Sequence, residues 1–274
     1  MSIQIVSPPS QAKLQQILTT KPPRVPTNVS FFVDDANEED WLFPKDEFGY
    51  IHTAVLLGSF QDFFTIIKRA HSYIAPGGYM ESFEMLPTVL ADDDSMPEDW
   101  PLRQWARDQH EAQMLLGKPI RIGPKLKAWY EEAGFVDVQE RIVKVPIGTW
   151  PKDLRLKQIG HLYEHNYRRG LGAWSTQVFR QAFSWNRSEI EVYLANVRRC
   201  LDDKHVHAYN KIYIIWGRKP FPGEVVASTM QPPVLQPQPQ RRTAATVAAS
   251  TLGSATSRPA RARPSTAGAT SSGV

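Results

Sequence analysis

The sequence predicts an α/β domain: a sheet with helices on both of its faces, ending in an antiparallel pair of strands at its C-terminal edge. Between residues 28 and 222, short β-branched and aromatic runs alternate with helical periodicities of a dozen or more residues. Parallel neighbours need crossovers of that length, so most of the sheet is expected to be parallel. At 274 residues, 42% hydrophobic and 22% charged, the chain is long and apolar enough to bury a full core.

The elements follow in order. Residues 11–18, bracketed by Ser7-Pro8-Pro9 and Lys21-Pro22-Pro23, read as two helical turns inside an irregular lead-in that spans 1–27. Val29-Ser30-Phe31-Phe32-Val33 reads as a strand that delivers Asp34 and Asp35 to its C-terminal end, and residues 48–52 as a second strand. From 57 to 74 the apolar residues Phe60, Phe63, Phe64, Ile67, Ala70 and Ile74 recur at helical spacing, until Pro76-Gly77-Gly78 stops the helix. A strand restarts over 79–85. Helices follow over 102–116 and 124–133, the second ended by Gly134 at a C-cap, and then a strand over 135–145. A helical insert at about 150–201 comprises helices over 150–169, 173–183 and 187–201, with Asn186 or Ser188 as the last N-cap. The final strand is 207–217.

Residues 223–274 open with Gln236-Pro237-Gln238-Pro239-Gln240 and contain no aromatic residue, a composition expected to be disordered. That tail holds Arg241, Arg242, Arg258, Arg261 and Arg263 against one acid, which accounts for the whole net charge of +4. The remainder is balanced and offers no basic face for phosphates, so specific nucleic-acid binding by the fold is not expected. No apolar run has the length of a membrane span, and no signal sequence opens the chain. A cytoplasmic or nuclear location follows as an expectation, and the single Cys200 fits a reducing compartment.

Four segments carry a resemblance: Asn28-Val29-Ser30-Phe31-Phe32-Val33-Asp34-Asp35-Ala36; Tyr50-Ile51-His52 with Leu57-Gly58-Ser59; Pro76-Gly77-Gly78-Tyr79-Met80-Glu81; and Val206-His207-Ala208-Tyr209 through Trp216-Gly217-Arg218-Lys219-Pro220. Ala133-Gly134-Phe135 and Pro146-Ile147-Gly148-Thr149-Trp150 add two more. In this order and spacing the chain resembles the LaeA-like fungal class I methyltransferases that use S-adenosylmethionine. The resemblance implies a seven-stranded Rossmann-like methyltransferase sheet, with the adenine edge of the cofactor at Asp34, Asp35 and Ala36 and its methionine side near His52. The reaction needs little from the enzyme beyond holding a nucleophile in line with an activated methyl group and excluding water. His52 and Glu84, at successive strand ends, are the candidate general bases.

The family's glycine-rich turn after its first strand, and the acid that ends its second, have no counterpart here. No Gly-x-Gly precedes Gly49, and Gly170-Leu171-Gly172 falls between two expected helices, where it makes no strand-to-helix nest. Ile5-Val6-Ser7-Pro8 reads as a relic of the second strand. The sheet is therefore expected to lack its first strand or strands. Either residues 2–6 fill the gap, or another chain does, or the product is truncated and folds poorly; the first is the expectation adopted. Cofactor binding is expected to be weak or lost. Two functions stay open: a methyltransferase acting on a small molecule or protein, and an inactive methyltransferase-like scaffold that binds a regulatory protein partner.

Other constellations read as structural. His161-x-x-Glu164-His165 matches an inverted zinc-protease spelling that arises readily by chance, and no further ligand follows it. His205 and His207 are read likewise, and Asp92-Asp93-Asp94 as a solvated turn. Trp100, Trp105, Trp129 and Trp174 read as core or pocket lining, with Trp150 and Tyr163 as candidates for a substrate lid.

Overall fold

The structure, a computed structural model, describes residues 2–6, 12–15, 29–32 and 35–224. The tail from 225 onward and Asp34 lie outside these residues. The seven strands are β1 (Ser2–Val6), β2 (Ala12–Gln15), β3 (Val29–Phe32), β4 (Phe48–Ala54), β5 (Ile74–Leu90), β6 (Val136–Pro146) and β7 (Tyr209–Arg218), and they form one sheet in the order β3-β2-β1-β4-β5-β7-β6. Among them lie helices α1 (Phe63–Tyr73), α2 (Pro101–Leu115), α3 (Leu126–Glu132), α4 (Leu154–Phe183) and α5 (Arg187–Cys200), with one 3-10 turn, Gly123–Lys125.

The sheet is mixed rather than mostly parallel. β2 runs parallel to β3 and β4 to β5, but β1 is antiparallel to both neighbours and β7 is antiparallel to β5 and β6. The expected C-terminal antiparallel pair is β6 with β7. The gap beside β4 is filled by Ser2–Val6, where Ile3 pairs with Thr53 and Ile5 with Ile51. Residues 12–15, expected as helix, are the strand β2, because pairing with β3 supplies hydrogen bonds that an isolated turn of helix lacks. Ile5 and Val6 accordingly occupy the position next to β4, not that of a second strand.

Helix α1 starts six residues later than its periodicity suggests. Gly58 has φ +71, and the Asp62 side chain accepts from Thr65 N at 3.3 Å, which caps the helix there. Pro76-Gly77-Gly78 does not separate helix from strand: β5 runs through it as a bulge, between the pairs Phe48–Ile74 and Tyr50–Tyr79. Gly77, at φ +80, donates to Lys219 O at 2.9 Å, and Lys219 N donates to Gly78 O at 2.8 Å, so pairing with the end of β7 continues. The expected break at Gly170-Leu171-Gly172 is likewise absent, and α4 is one helix of 30 residues. A Cβ on Gly170 would collide with the Trp174 ring, and Leu171 is fully buried, so these glycines serve packing. A capping box of Asn186 and Glu189 starts α5.

Two apolar clusters hold the domain. Phe63, Ile66, Ile67, Ala70 and Tyr73 of α1, with Leu126 and Tyr130 of α3, cover Ile51, Met80, Tyr213 and Ile215 of the sheet. Helices α2, α4 and α5 gather a second cluster, including Trp105, Tyr167, Phe179 and Leu194, around Val89 at the far end of β5.

Candidate functional site

Strand alternation divides the sequence-derived candidates. On β4, Ile51 and Thr53 point into the core under α1, while Tyr50 and His52 point to the other face. On β5, Met80, Ser82 and Glu84 are buried, and Glu81 stands on the face of His52, its partner in register. His52 and Glu84 therefore do not share a site.

On the half-exposed face, His52 Nδ1 lies 3.0 Å from Glu81 Oε1, and the Tyr50 hydroxyl lies 3.4 Å from the same nitrogen. Glu81 fixes the ring as an orienting carboxylate does: it accepts from Nδ1–H and leaves Nε2 able to receive a proton. Burial, then the charge of Glu81, pushes the Tyr50 phenol up, so that Tyr50 stays protonated and donates. Glu81 sat within the motif Pro76-Gly77-Gly78-Tyr79-Met80-Glu81 without being read as a partner. The signal for it was the two-residue alternation once the strands are set side by side.

On the core face, the Glu84 carboxylate accepts from Leu56 N at 2.9 and 3.0 Å, and burial raises its pKa to about 7. It is fully buried and occupied by the loop that follows β4, an arrangement suited to positioning. Beside it, Thr53 donates to Ser82 at 2.8 Å, and Ser82 lies 2.7 Å from the Tyr130 hydroxyl, forming a chain of three buried hydroxyls.

At the end of β3 the exposed Asp35 Oδ1 accepts from Asn37 N at 2.9 Å and Nδ2 at 2.8 Å, which lowers its pKa. Ala36 is buried, and its carbonyl accepts from Arg69 Nη1 at 2.6 Å and Trp41 Nε1 at 3.2 Å. The turn is thus pinned to α1. An open cleft of about 490 Å³ adjoins it, lined by Asn37, Ser59, Asp62, Thr65, Ile66 and Arg69 among others. In size and polarity these residues fit the nucleoside half of S-adenosylmethionine. The other half fits less well. Because β1 runs antiparallel to β4, the turn after β1 lies at the opposite edge of the sheet from the end of β4. Among the described residues no glycine-rich turn stands where the cofactor's carboxylate would be held.

The remaining candidates have structural surroundings. Trp150 Nε1 donates to Ala208 O at 3.0 Å, and the Tyr163 hydroxyl reaches Met85 Sδ and Asn210 Oδ1, so both pack against the start of β7. Glu164 pairs with Arg168 at 2.8 Å, and His161 and His165 are exposed. His207 Nδ1 meets Asp93 at 2.6 Å, while the bond from Ser95 and then that from His207 bring Asp93 down to about 2. Burial pushes the Cys200 thiol up to about 11, away from nucleophile chemistry. Among the described residues, no helix is long and apolar enough to cross a membrane.

A seven-stranded mixed sheet with an inserted antiparallel β7 and flanking helices defines a class I methyltransferase-like, Rossmann-like fold. Comparison with known proteins agrees: residues 7–140 match the methyltransferase domain family, and the chain is a methyltransferase-domain protein of the LaeA-like fungal kind. Methyltransferase pytC of Aspergillus terreus is 29% identical over 201 residues, which cover 73% of this chain and 61% of pytC. The secondary metabolism regulator LAE1 of Cochliobolus heterostrophus is 29% identical over 206 residues, 74% of this chain and 67% of that protein. The chain thus spans about three fifths of pytC and two thirds of LAE1. Among solved structures, a Haemonchus contortus phosphoethanolamine N-methyltransferase 2 in complex with S-adenosylhomocysteine matches with TM-score 0.38 and 15% identity, over 70% of this chain and 38% of that one.

Proposed function

We propose that this domain transfers a methyl group from S-adenosylmethionine to a small-molecule acceptor of fungal secondary metabolism, in the cytoplasm or nucleus, and that it holds the cofactor weakly. The observation that carries the reading is the His52–Glu81 pair on the open face of β4 and β5, within a domain of the methyltransferase family. The bound cofactor supplies a methyl group that is already activated. Asp35 and Ala36, in the turn after β3, would meet the nucleoside. Asp34 completes this set in the sequence-based expectation. His52, oriented by Glu81, would take the proton that the acceptor's oxygen or nitrogen loses, a role a neutral imidazole performs near neutral pH. The antiparallel course of β1 supports weak rather than tight cofactor binding, since it removes a helix-opening turn from that edge.

Calorimetric titration of the full chain with S-adenosylmethionine tests this. Saturable heat that weakens in Asp35→Ala supports the reading, and the absence of heat at high ligand sinks its catalytic version. The antiparallel β1 also favours a second reading, an inactive scaffold that binds a regulatory protein. Cofactor-dependent methyl transfer by a purified chain that brings no stoichiometric partner with it would exclude that scaffold.

A further inference from the structure

Helix α2 and the segment after it carry a polar group that the reading above leaves unused. The atoms Arg121 Nε, His110 Nδ1 and Gln113 Oε1 are buried, and none has a hydrogen-bond partner among the described residues. Buried donors and acceptors are nearly always satisfied, so three orphans in one place point to a missing partner. His110 and Gln113 stand three residues apart and share a helix face. Lys118 N donates to Gln113 O at 2.9 Å, which turns the chain back along α2 toward Arg121. The backbone at Arg121 is fixed on both sides by Ile120 and Ile122, which are 4% and 2% exposed.

The electrostatics are one-sided. Among the described residues, no carboxylate pairs with Arg121 or His110. Glu98, which might have served, is held by Arg103 and Arg107. Burial and then the charge of Arg107 push Arg121 down, and burial and then Arg121 push His110 down. Cationic groups crowded together without an acid are a poor structural solution and a good anion receptor.

The group also lies against the loop that follows β4. Gly58 N donates to Pro119 O at 3.3 Å, and a Cβ at Gly58 would stand 3.0 Å from Ile120 Cγ2 and 3.2 Å from Gln113 Nε2. Ligands of open α/β sheets bind beyond such strand ends.

We propose that Arg121, His110 and Gln113 bind the carboxylate of a small hydroxy- or amino-acid acceptor. The guanidinium fork matches a carboxylate, His110 Nδ1–H supplies a further donor, and Gln113 Oε1 accepts from the neighbouring hydroxyl or amine. That this ligand is the methyl acceptor rests on the proposed methyl-transfer function; the binding itself does not.

The test is titration of the full chain with salicylate, without cofactor, followed by calorimetry and by the ring protons of His110. We expect saturable binding that Arg121→Gln and His110→Gln weaken by about tenfold or more, with unfolding midpoints near that of the parent. Arg121→Lys keeps the charge, loses the fork, and is expected to weaken binding too; it also serves if Arg121→Gln does not fold. Competition by benzoate but not by inorganic phosphate supports a carboxylate site. Absence of saturable binding, equal binding by both Arg121 variants and the parent, or equal competition by phosphate overturns the proposal. None of these results depends on S-adenosylmethionine, so failure here is distinct from failure of the cofactor titration.

Discussion

Glu84 and Leu56 are joined by a carboxylate that accepts one backbone N–H through both of its oxygens, at 2.9 and 3.0 Å, inside the sheet. The bond fastens β5 to the turn that leaves β4. That turn contains Val55 at φ +52, a conformation β-branched residues avoid, and it is tied again where Val55 N donates to Phe83 O at 2.9 Å. Strain in the turn and the buried acid that restrains it belong to one device, which sets the loop between the proposed cofactor edge and the proposed carboxylate site.

The first prediction follows from the raised pKa of Glu84, about 7 against 4.5. Burial disfavours its charged form, so the stability that Glu84 contributes is full below about 4.5 and is lost as the pH rises through about 7. The difference corresponds to on the order of 3 kcal/mol. His71 and His110, whose pKa values are lowered, contribute with the opposite sign, so the parent must be compared with Glu84→Gln. Urea unfolding at pH values on either side of that window should show a loss in the parent that the variant lacks. Equal pH slopes in the two proteins would exclude the assignment.

The second concerns Val55 itself. It is 38% exposed, so little packing is lost on replacement, and asparagine tolerates positive φ far better. Val55→Asn should raise stability by about 0.5–1 kcal/mol, read as a higher urea midpoint with an unchanged slope. A lower midpoint would mean that the turn is not strained in solution.

These relations show which parts of the molecule the sequence could express. Period-two alternation and helical spacing located β4, the run Tyr79 to Met85 of β5, α1, α2, α5 and β7, because each buries one face against its neighbours. Three departures share a cause: the deciding contact is remote in sequence. Pro76-Gly77-Gly78 stays in the sheet because Lys219 pairs with it, α4 continues through Gly170 because Trp174 fills the glycine's space, and residues 12–15 become a strand because β3 lies alongside. The site follows the same rule. His52 was legible as a strand-end residue, whereas its separation from Glu84 and its pairing with Glu81 depend on the register of β4 against β5.

A third prediction tests the buried hydroxyl chain. Thr53 and Ser82 are fully buried and Tyr130 is inaccessible, and Ser82 is the middle member. Ser82→Ala strands a buried hydroxyl on each side and should cost about 1–3 kcal/mol, whereas Tyr130→Phe removes only the end of the chain and should cost about 1 kcal/mol. Burial, the largest influence on the Tyr130 phenol, pushes its pKa up, so the ring should stay neutral in alkaline spectrophotometric titration until the protein unfolds. If Tyr130→Phe proves the more damaging of the two, the chain does not run through Ser82 as described.

The last prediction separates a catalytic His52 from a structural one. His52 is partly open, with 18% of its side chain exposed, and its Nδ1 is engaged by Glu81, so replacing it should leave folding nearly intact. His52→Gln should lower the rate of methyl transfer from labelled S-adenosylmethionine to fungal small-molecule extract by on the order of a hundredfold, without weakening cofactor binding to the same degree. Glu81→Gln keeps the hydrogen-bonding shape but removes the charge that stabilises an imidazolium, so its rate should fall by less. In the double variant the two losses should fail to multiply, because Glu81 acts through His52. Fully multiplicative losses would make Glu81 an independent contributor, and an undiminished rate in His52→Gln would return the ring to the sheet surface as a packing residue.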